Sequence, residues 1–285
     1  MKFRTVIPIP KFTFQISYQD PILLLGSCFS DHIGTFMTKN RFFVLSNPFG
    51  TLFNPVSIAN VLKMTIDPTL FSEQYRYFYD HRHVSFAHHG SFAHEDENQF
   101  LAQIEQQWSN TKAFLEKTNF LFITFGTAYC YRFLERDVVV ANCHKIPNTK
   151  FEKFQIKIEE IVQIYTEIIQ KLQQINPSIK IVFTVSPVRH LGDGFHENQI
   201  SKSLLHLAVD QLTDNKTIFY FPAYEILMDD LRDYRFYAED LCHPGENAVR
   251  YMEEIFADTF FSQTTQEKLK EIDKENKFLN HKKLQ

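Results

Sequence analysis

The chain has 285 residues, enough for one large domain, and its 44% hydrophobic and 22% charged residues are ordinary for a globular protein. Its formal net charge of −4, without a long block of lysine and arginine, argues against nucleic acid as the main partner, because phosphate binding needs a concentrated basic face. No stretch approaches the ~20 apolar residues that span a membrane, so a membrane partner is not expected either.

The N-terminus and the cysteines indicate the compartment. Residues 1–14 lack the apolar core and the cleavage site of a secretory signal peptide. The four cysteines are scattered without CxxC spacing, which favours reduced thiols over a disulfide framework or a structural zinc site. We therefore expect a cytoplasmic protein.

Four short apolar runs are typical of strands that are buried on both faces of a parallel sheet. They cover residues 21–27, 119–133, 179–190 and 217–222, and Gly126 breaks the second run. Apolar residues at helical spacing predict helices over 28–40, 57–66, 97–117, 154–175, 198–212 and 244–261. The alternation of strands and helices favours a three-layer α/β/α sandwich with a mostly parallel sheet.

Two loops and the C-terminus lie outside this pattern. Residues 47–55 form a loop bounded by two Asn-Pro pairs, and residues 75–98 are expected to be a long, partly ordered excursion over the surface. We expect residues 1–265 to form a single domain. The charged residues 266–285 are expected to be a solvated helix or a frayed end.

The excursion is rich in histidine, which raises the question of a metal site. It contains His81, His83, His88, His89 and His94. Catalytic zinc needs three protein ligands in a fixed shell, which a mobile loop supplies poorly. No metal is therefore expected.

Ser27 lies where the first apolar run ends and the first helix begins. The segment LLLGSCFSDHIG, residues 23–34, places a Gly-Ser-Cys turn at this point. In open α/β sheets ligands bind beyond the carboxyl ends of the strands, and the free N–H groups of a helix start favour negative charge. Ser27 is therefore a candidate nucleophile for attack on a carbonyl group. The alternative is that Gly26 and Ser27 only form the turn and that Ser27 caps the helix.

A second part of the same chemistry occurs near the C-terminus, in YAEDLCHPGENA at 237–248. Pro244 pushes His243 away from helical backbone, so that His243 ends a loop before the last helix. Asp240 can reach back to one imidazole nitrogen and leave the other free to take a proton from Ser27, as in a hydrolytic triad. The alternative is that His243 caps the helix and that Asp240 is a surface acid.

Motifs spread over nearly the whole chain, from about Lys2 to Phe261, resemble the GSCFA-domain family. They are GSCFS at 26–30, NPFGTLFNP at 47–55, TFGTAYCYR at 124–132, ANCHK at 141–145, SPVRH at 186–190 and RDYRFYAEDLCHP at 232–244. Ser30 stands where the motif that names the family has alanine.

The GSCFA-domain family in turn resembles the SGNH (GDSL-like) hydrolases, which implies a flavodoxin-like α/β/α fold. By this resemblance Ser27 matches the nucleophile, and Asp240 and His243 match the last block. Gly50 falls where the second block has an oxyanion-binding N–H group. The N–H group of Ser27 is expected to be the other backbone donor.

The third block departs from the SGNH pattern. SGNH enzymes carry Gly-x-Asn-Asp, whereas residues 126–129 read Gly-Thr-Ala-Tyr, so Ala128 stands where the oxyanion-binding amide is expected. Loss of one such donor typically costs ~10²–10³ in rate. Candidates for a replacement are Asn54, Asn142 and Thr127, and Asn54 is favoured because it shares a loop with Gly50.

The resemblance also decides between two neighbouring nucleophiles. A thiol is intrinsically the better nucleophile, and a helix N-terminus lowers its pKa, but Ser27 occupies the SGNH nucleophile position. Cys28 is therefore expected to be a packing residue. Placement at strand ends and turns makes His144, Arg189 and His190 candidates for substrate binding, with a structural salt bridge as the alternative for Arg189.

Together these features predict a serine-dependent ester hydrolase that removes an O-acyl group, such as acetyl, from a carbohydrate or other small polar substrate through an acyl-enzyme. Two alternatives remain: an acyltransferase with the same triad, and a catalytically inactive ligand-binding protein of the same fold, which Ala128 favours. No cofactor is expected, since glycine-rich phosphate loops are absent. The partner is a small-molecule acyl ester, and the sequence does not specify an oligomeric state.

Overall fold

The computed structural model describes residues 4–283, and its central element is a five-stranded parallel sheet. With strands numbered along the chain, its members are β1 (Ile22–Gly26), β2 (Val44–Ser46), β5 (Phe120–Phe125), β9 (Lys180–Val185) and β10 (Ile218–Tyr220). Their spatial order is β2–β1–β5–β9–β10. Counted within the sheet this is the 2-1-3-4-5 order of flavodoxin-like folds.

Helices cover both faces of the sheet. They are α1 (Cys28–Lys39), α2 (Pro55–Ile66), α3 (Glu97–Leu115), α4 (Ile158–Ile175), α5 (Phe195–Leu212), the short α6 (Ala223–Glu225), α7 (Glu246–Phe260) and α8 (Gln263–Lys283). Because side chains alternate along a strand, Leu23 and Leu25 pack into the core that α2 to α5 cover. Ile22 and Leu24 pack into the opposite core, which α1 and α7 cover. The predicted three-layer α/β/α sandwich is confirmed.

Helix α4 illustrates how the apolar period selects the buried face. Ile161, Tyr165 and Leu172 recur at helical spacing and are fully buried, and Glu160 accepts a hydrogen bond from the Lys157 N–H group at the helix start. The helix begins four residues later than predicted. The preceding segment is instead strand β8 (Phe151–Gln155), which pairs antiparallel with β6 (Tyr129–Phe133).

A second, three-stranded sheet is formed by β6, β8 and β7 (Val138–Val140), in the order β7–β6–β8. The apolar run predicted as one strand over 119–133 is therefore two strands, β5 and β6. They separate at Gly126, where the sequence indicated a break. The chain leaves the parallel sheet at this point and enters the small antiparallel one.

The prediction of a partly ordered surface excursion over 75–98 is wrong. Strands β3 (Arg76–Tyr79) and β4 (Arg82–Ser85) pair antiparallel across a two-residue turn, in which Asp80 and His81 both have positive φ angles. His88 is fully buried and contacts the rings of Phe49 and Trp108. Burial lowers the pKa of His88 to about 3, so this histidine is a neutral core residue.

Helix α8 contains the charged C-terminal residues as far as residue 283. Glu275 pairs with Arg41, and the Asn276 amide donates to the Lys39 carbonyl at the end of α1. Among residues 4–283, none of the helices is long and apolar enough to cross a membrane.

Candidate active site

Ser27 lies at the carboxyl end of β1, in a turn that only glycine permits. Gly26 has a φ angle of +132°, and a Cβ atom there would lie 2.1 Å from the Thr124 carbonyl oxygen on the neighbouring strand. Ser27 then takes extended backbone angles as the N-cap residue of α1. The strand-to-helix turn predicted at this point is present.

The Ser27 hydroxyl is buried and unpaired. The residue is 1% exposed, makes no side-chain capping hydrogen bond, and leaves Oγ without a partner. A buried polar group without a hydrogen bond costs about 1–3 kcal/mol and requires an explanation. Helix capping by this side chain, the alternative reading of the sequence, does not provide one.

Asp240 and His243 form a tight pair in the loop before α7. Asp240 Oδ1 accepts hydrogen bonds from the N–H groups of Cys242 and His243, at 2.9 and 3.0 Å, and Oδ2 lies 2.6 Å from His243 Nδ1. These backbone and imidazole hydrogen bonds hold the pKa of the Asp240 carboxyl well below its usual range. Since a carboxylate can only accept, Nδ1 carries the proton, and Nε2 is left to accept one.

His243 lies near Ser27's helix, but the triad is not closed. Burial is the main cause of the lowered pKa values of His32 on α1 and of His190 after β9, and His243 lowers both further. His243 is therefore within electrostatic range of both elements. The His243 side chain is 47% exposed, whereas the Ser27 hydroxyl is buried. The hydroxyl makes no hydrogen bond with His243 Nε2 or with any other group.

Arg189 fixes the loop that carries the pair. Its backbone N–H donates to the Cys242 carbonyl at 3.2 Å, and its guanidinium donates to the Leu241 carbonyl. The guanidinium also lies over the Tyr237 ring, 4.6 Å from the centroid. These contacts tie Arg189 to the loop rather than to a carboxylate, and Arg189 also lines a separate cavity with Gln199 and Tyr237.

A cavity of about 360 Å³ brings together four residues that the sequence singled out. Asn54, Thr127, Asn142 and His190 all line it. The other lining residues are Phe53, Tyr129, Tyr131, Val140, Ala141, Cys143, Gly192 and Asp193. The mixture of aromatic rings and amide groups is typical of a site for a small polar molecule.

The three candidate oxyanion side chains in this cavity differ in which donors they retain. Asn54 Oδ1 caps α2 by accepting from the Ser57 N–H group at 2.8 Å, which leaves the Asn54 amide NH₂ as the donor. Asn142 Oδ1 accepts from the His144 N–H group at 2.7 Å. The Thr127 hydroxyl lies 3.1 Å from the Ser201 hydroxyl and also accepts from the Tyr129 N–H group, so it is the least available.

The two backbone donors expected from the resemblance are engaged elsewhere. The Ser27 N–H group donates to the Thr124 carbonyl at 3.1 Å, because the sheet ladder continues into the turn. The Gly50 N–H group donates to the Asn47 carbonyl at 2.8 Å and closes a tight turn that begins at Asn47 with a φ angle of +41°. In this structure neither group is free to bind an oxyanion, contrary to the expectation for Gly50.

The surroundings of His144 and Cys28 bear on the roles expected of them. His144 Nε2 lies 2.7 Å from the Ser85 carbonyl oxygen, so this ring is tied to the β3–β4 hairpin rather than to the cavity. Burial, assisted by the negative charge of Asp31, raises the pKa of the Cys28 thiol instead of lowering it. The raised pKa makes Cys28 a weaker nucleophile than its place at a helix start suggested.

Sequence reasoning missed Lys202, the most deeply buried cation of the site. Its Nζ atom donates to the Gly126 and Ser186 carbonyls, at 2.6 and 2.7 Å, and so joins the segments that follow β5 and β9. Burial lowers the pKa of Lys202 to about 7. One signal was available: Lys202 falls on the apolar stripe of α5 with Leu205 and Val209.

A second missed feature fixes the loop after β2. Asp31 accepts from the Asn47 amide at 2.6 Å and from the Thr51 hydroxyl at 2.8 Å. Asn47 Oδ1 in turn accepts from the Gly26 N–H group at 2.8 Å. The network therefore links the first turn of α1, the loop 47–51 and the glycine that precedes Ser27.

Fold and site together define a class: a flavodoxin-like α/β protein with a serine and an Asp–His pair at the carboxyl edge of its sheet. The chain belongs to the GSCFA family, whose profile matches residues 21–256. No curated protein matches the sequence.

Among solved structures, an acetyl xylan esterase from the rumen bacterium Butyrivibrio proteoclasticus is similar, with a TM-score of 0.40 and 10% sequence identity. The alignment covers 85% of this chain and 65% of the esterase chain, which is less than two thirds of that chain's length. A likeness of this degree does not bear on the reaction.

Proposed function

We propose that the protein is a serine-dependent ester hydrolase that removes an O-acyl group, such as acetyl, from a small polar molecule, for instance a carbohydrate. The observation that carries the proposal is the arrangement at the carboxyl edge of the sheet. Ser27 at the end of β1 has an unpaired hydroxyl, and the loop of the hydrogen-bonded Asp240–His243 pair is bonded to Arg189, which follows β9. A nucleophile, a base and a group that orients the base are the parts of a hydrolytic triad.

In the proposed reaction, His243 Nε2 takes the proton of Ser27 while Oγ bonds to the ester carbonyl carbon. The C–O bond to the alcohol then breaks, and the imidazolium returns the proton to the departing oxygen. Water hydrolyses the acyl-enzyme by the same steps and regenerates the Ser27 hydroxyl. Asp240 keeps the imidazole in the required tautomer and stabilises its charged form. No cofactor enters these steps.

The cavity lined by Asn54 and Asn142 is the proposed site for the substrate. Its amide groups and tyrosine rings suit a polar alcohol with an apolar face, as a sugar has. Ser27 is 1% exposed, so an ester reaches its hydroxyl only when neighbouring segments shift. Catalytic hydrogen bonds often tighten only in the complex with substrate, which accords with an open triad in the free protein.

A ligand-binding protein without catalysis is the second candidate function. It is favoured by the hydrogen bonds that engage the N–H groups of Ser27 and Gly50, since both were expected to stabilise an oxyanion. A protein of this kind would use the same cavity but would not form a covalent intermediate. Reaction with a covalent probe therefore separates the two functions.

We expect a fluorophosphonate probe to label wild-type protein once, on Ser27, because the probe reacts with activated serine hydroxyls. Intact mass spectrometry with peptide mapping measures the site. Labelling should vanish in Ser27→Ala and persist in the neighbouring control Cys28→Ala. Label on the Ser27→Ala protein would exclude Ser27 as the nucleophile, and an unlabelled wild type would favour the ligand-binding protein.

We expect Arg189→Leu to lower kcat with p-nitrophenyl acetate by up to about 10²-fold. The variant loses the guanidinium that donates to the Leu241 carbonyl, and a misplacement of about 1 Å in a catalytic group can cost that much. Steady-state kinetics measure the effect. The matched control is Arg235→Leu, because Arg235 lies in the segment that precedes Asp240 but is largely exposed and pairs with Asp233. Equal activity in the two variants would show that Arg189 does not position the pair.

A further inference from the structure

We propose that the His190 side chain binds the oxyanion, in the role for which Ala128 offers no side-chain donor. This inference rests on the proposed ester hydrolysis and adds a catalytic residue to it. The sequence suggested His190 only as a substrate-binding candidate. Its new role follows from the hydrogen bonds of the strand ends.

Five of the backbone donors that follow β1, β2 and β5 are already used. The N–H groups of Ser27 and Gly50 are engaged with Thr124 and Asn47, as described above. Those of Gly126 and Thr127 both donate to the Phe53 carbonyl, at 2.7 and 3.0 Å. The Ala128 N–H group donates to the Ser201 hydroxyl at 2.8 Å. Because the expected backbone donors are engaged, a side-chain donor gains importance for an oxyanion at this edge.

His190 is positioned by its backbone and by a ring contact. It follows β9, and its N–H group donates to Asn198 Oδ1 at 2.9 Å. Its imidazole meets the Phe53 ring edge-on, with 5.9 Å between the centroids. Phe53 precedes Asn54, and His190 and Asn54 line the same cavity. The imidazole thus contacts the residue that precedes Asn54 and shares a cavity with the amide that the sequence favoured as an oxyanion donor.

His190 Nε2 is buried and has no hydrogen-bond partner in the structure. The Ser27 hydroxyl at the end of β1 is also buried and also lacks a hydrogen-bond partner. A buried nitrogen of this kind costs about 1–3 kcal/mol when it is left unpaired. An ester carbonyl that reaches Ser27 would supply the acceptor that a protonated Nε2 lacks.

The charge state of His190 suits a donor better than a base. Burial, assisted by the nearby Lys202 and His243 and opposed by Asp193, lowers the pKa of His190 to about 4. The ring is therefore neutral at pH 7 and carries one N–H group. A neutral imidazole donates a hydrogen bond without surrendering its proton, so it does not compete with His243 for the acid–base role.

The attack on the carbonyl carbon by Ser27 Oγ moves the carbonyl π electrons onto the oxygen, which becomes negatively charged. His190 Nε2–H and the Asn54 amide donate hydrogen bonds to this oxygen. When the carbonyl double bond re-forms, the bond to the alcohol breaks and His243 supplies the proton. His190 keeps its own proton throughout. Its contribution is larger in the transition state than in the ground state, because the charge develops only there.

The test compares His190→Leu with His190→Gln, because glutamine offers an amide N–H group near the position of Nε2. We expect His190→Leu to lower kcat for p-nitrophenyl acetate by ~10²–10³ with little change in KM. His190→Gln should stay within about tenfold of wild type, since it restores the donor. The matched control is His206→Leu: His206 is also largely buried with a lowered pKa, but it faces Tyr220 and Glu225.

Each outcome of this comparison decides the role. Turnover by His190→Leu equal to wild type overturns the inference while leaving the ester hydrolase intact. A loss in His190→Gln as deep as that in His190→Leu also overturns it, because the ring then matters for packing rather than donation. A wild type with neither turnover nor label on Ser27 overturns the proposed function and this role with it. If His190→Leu fails to fold, His190→Phe keeps a ring against Phe53 and serves in its place.

Discussion

Alanine in place of Ser27 is expected to lower kcat for p-nitrophenyl acetate by about 10⁴-fold or more, the largest effect of any single substitution in the chain. In the proposed reaction, the substitution removes the atom that bonds to the substrate carbonyl carbon. The residual rate would come from binding and from the donors of Asn54 and His190. Steady-state hydrolysis by purified wild type and variant measures the ratio.

Two controls make the Ser27→Ala result specific. Cys28→Ala changes the adjacent residue and should retain kcat within a few-fold, because burial and the Asp31 charge raise the pKa of this thiol. The melting temperature of Ser27→Ala should not fall, because the variant removes a buried hydroxyl that has no partner. A Ser27→Ala protein that retained more than about a tenth of wild-type turnover would refute the assignment.

The fold could be predicted because strands buried on both faces leave an unambiguous pattern. Strand β1 is wholly buried, and β9 is buried except for Lys180, as expected when helices cover both faces of a parallel sheet. The helices between them show the 3.6-residue period. These two signals determine the layers, and the order of the strands follows from the resemblance to the flavodoxin-like SGNH hydrolases.

The elements that the sequence did not reveal lack such a pattern. Strand β2 has only three residues and lies at the sheet edge, where its side chains are half-buried. Strand β8 precedes α4 directly, and Phe154 continues the apolar period of that helix back into the strand. Residues 75–98 show neither the helix period nor the strand period, which suggested a surface excursion. Burial of His88 among aromatic rings depends on partners such as Trp108, which is distant in sequence.

Some features of the candidate site depend on residues close in sequence and could be predicted, whereas others depend on distant partners and could not. The Asp240–His243 pair is a contact between residues three apart, so its spacing could be recognised in the sequence. The proposed oxyanion donors depend on which N–H groups remain unused. That is decided by partners such as Thr124 and Ser201, which no local motif indicates. Lys202 is a similar case, because the carbonyls it binds belong to the segments that follow two distant strands.

Lys202→Met is expected to remove a steep pH dependence of stability. The pKa of Lys202 is about 7 in the folded chain, against 10.5 ordinarily. Between these values the unfolded chain binds one proton more than the folded chain. The Lys202 contribution to the free energy of unfolding therefore rises with pH by about 1.4 kcal/mol per pH unit. Below pH 7 both states carry the charge, and the folded state bears the full cost of burying it.

The effect of Lys202 on the free energy of unfolding is best measured between pH 7 and pH 9. Above pH 9 the trend is opposed by Cys130 and Cys143, because burial raises their pKa values to about 12 and 11. The unfolded chain then releases thiol protons that the folded chain retains, and stability falls. Within this pH range, urea unfolding of wild type should show a gain of about 3 kcal/mol that Lys202→Met lacks.

The exposed residue Lys171 on α4 provides the matched control, since Lys171→Met should leave the pH dependence of wild type unchanged. If the free energy of unfolding changed with pH equally in wild type and Lys202→Met, this would contradict a buried, titrating amine at position 202.

A difference of the expected sign would tie the segments after β5 and β9 to one ionisable group. His190 follows the second of these segments, and the charge of Lys202 is one cause of its lowered pKa. The same amine would then support both the fold and the neutral state of the proposed oxyanion donor.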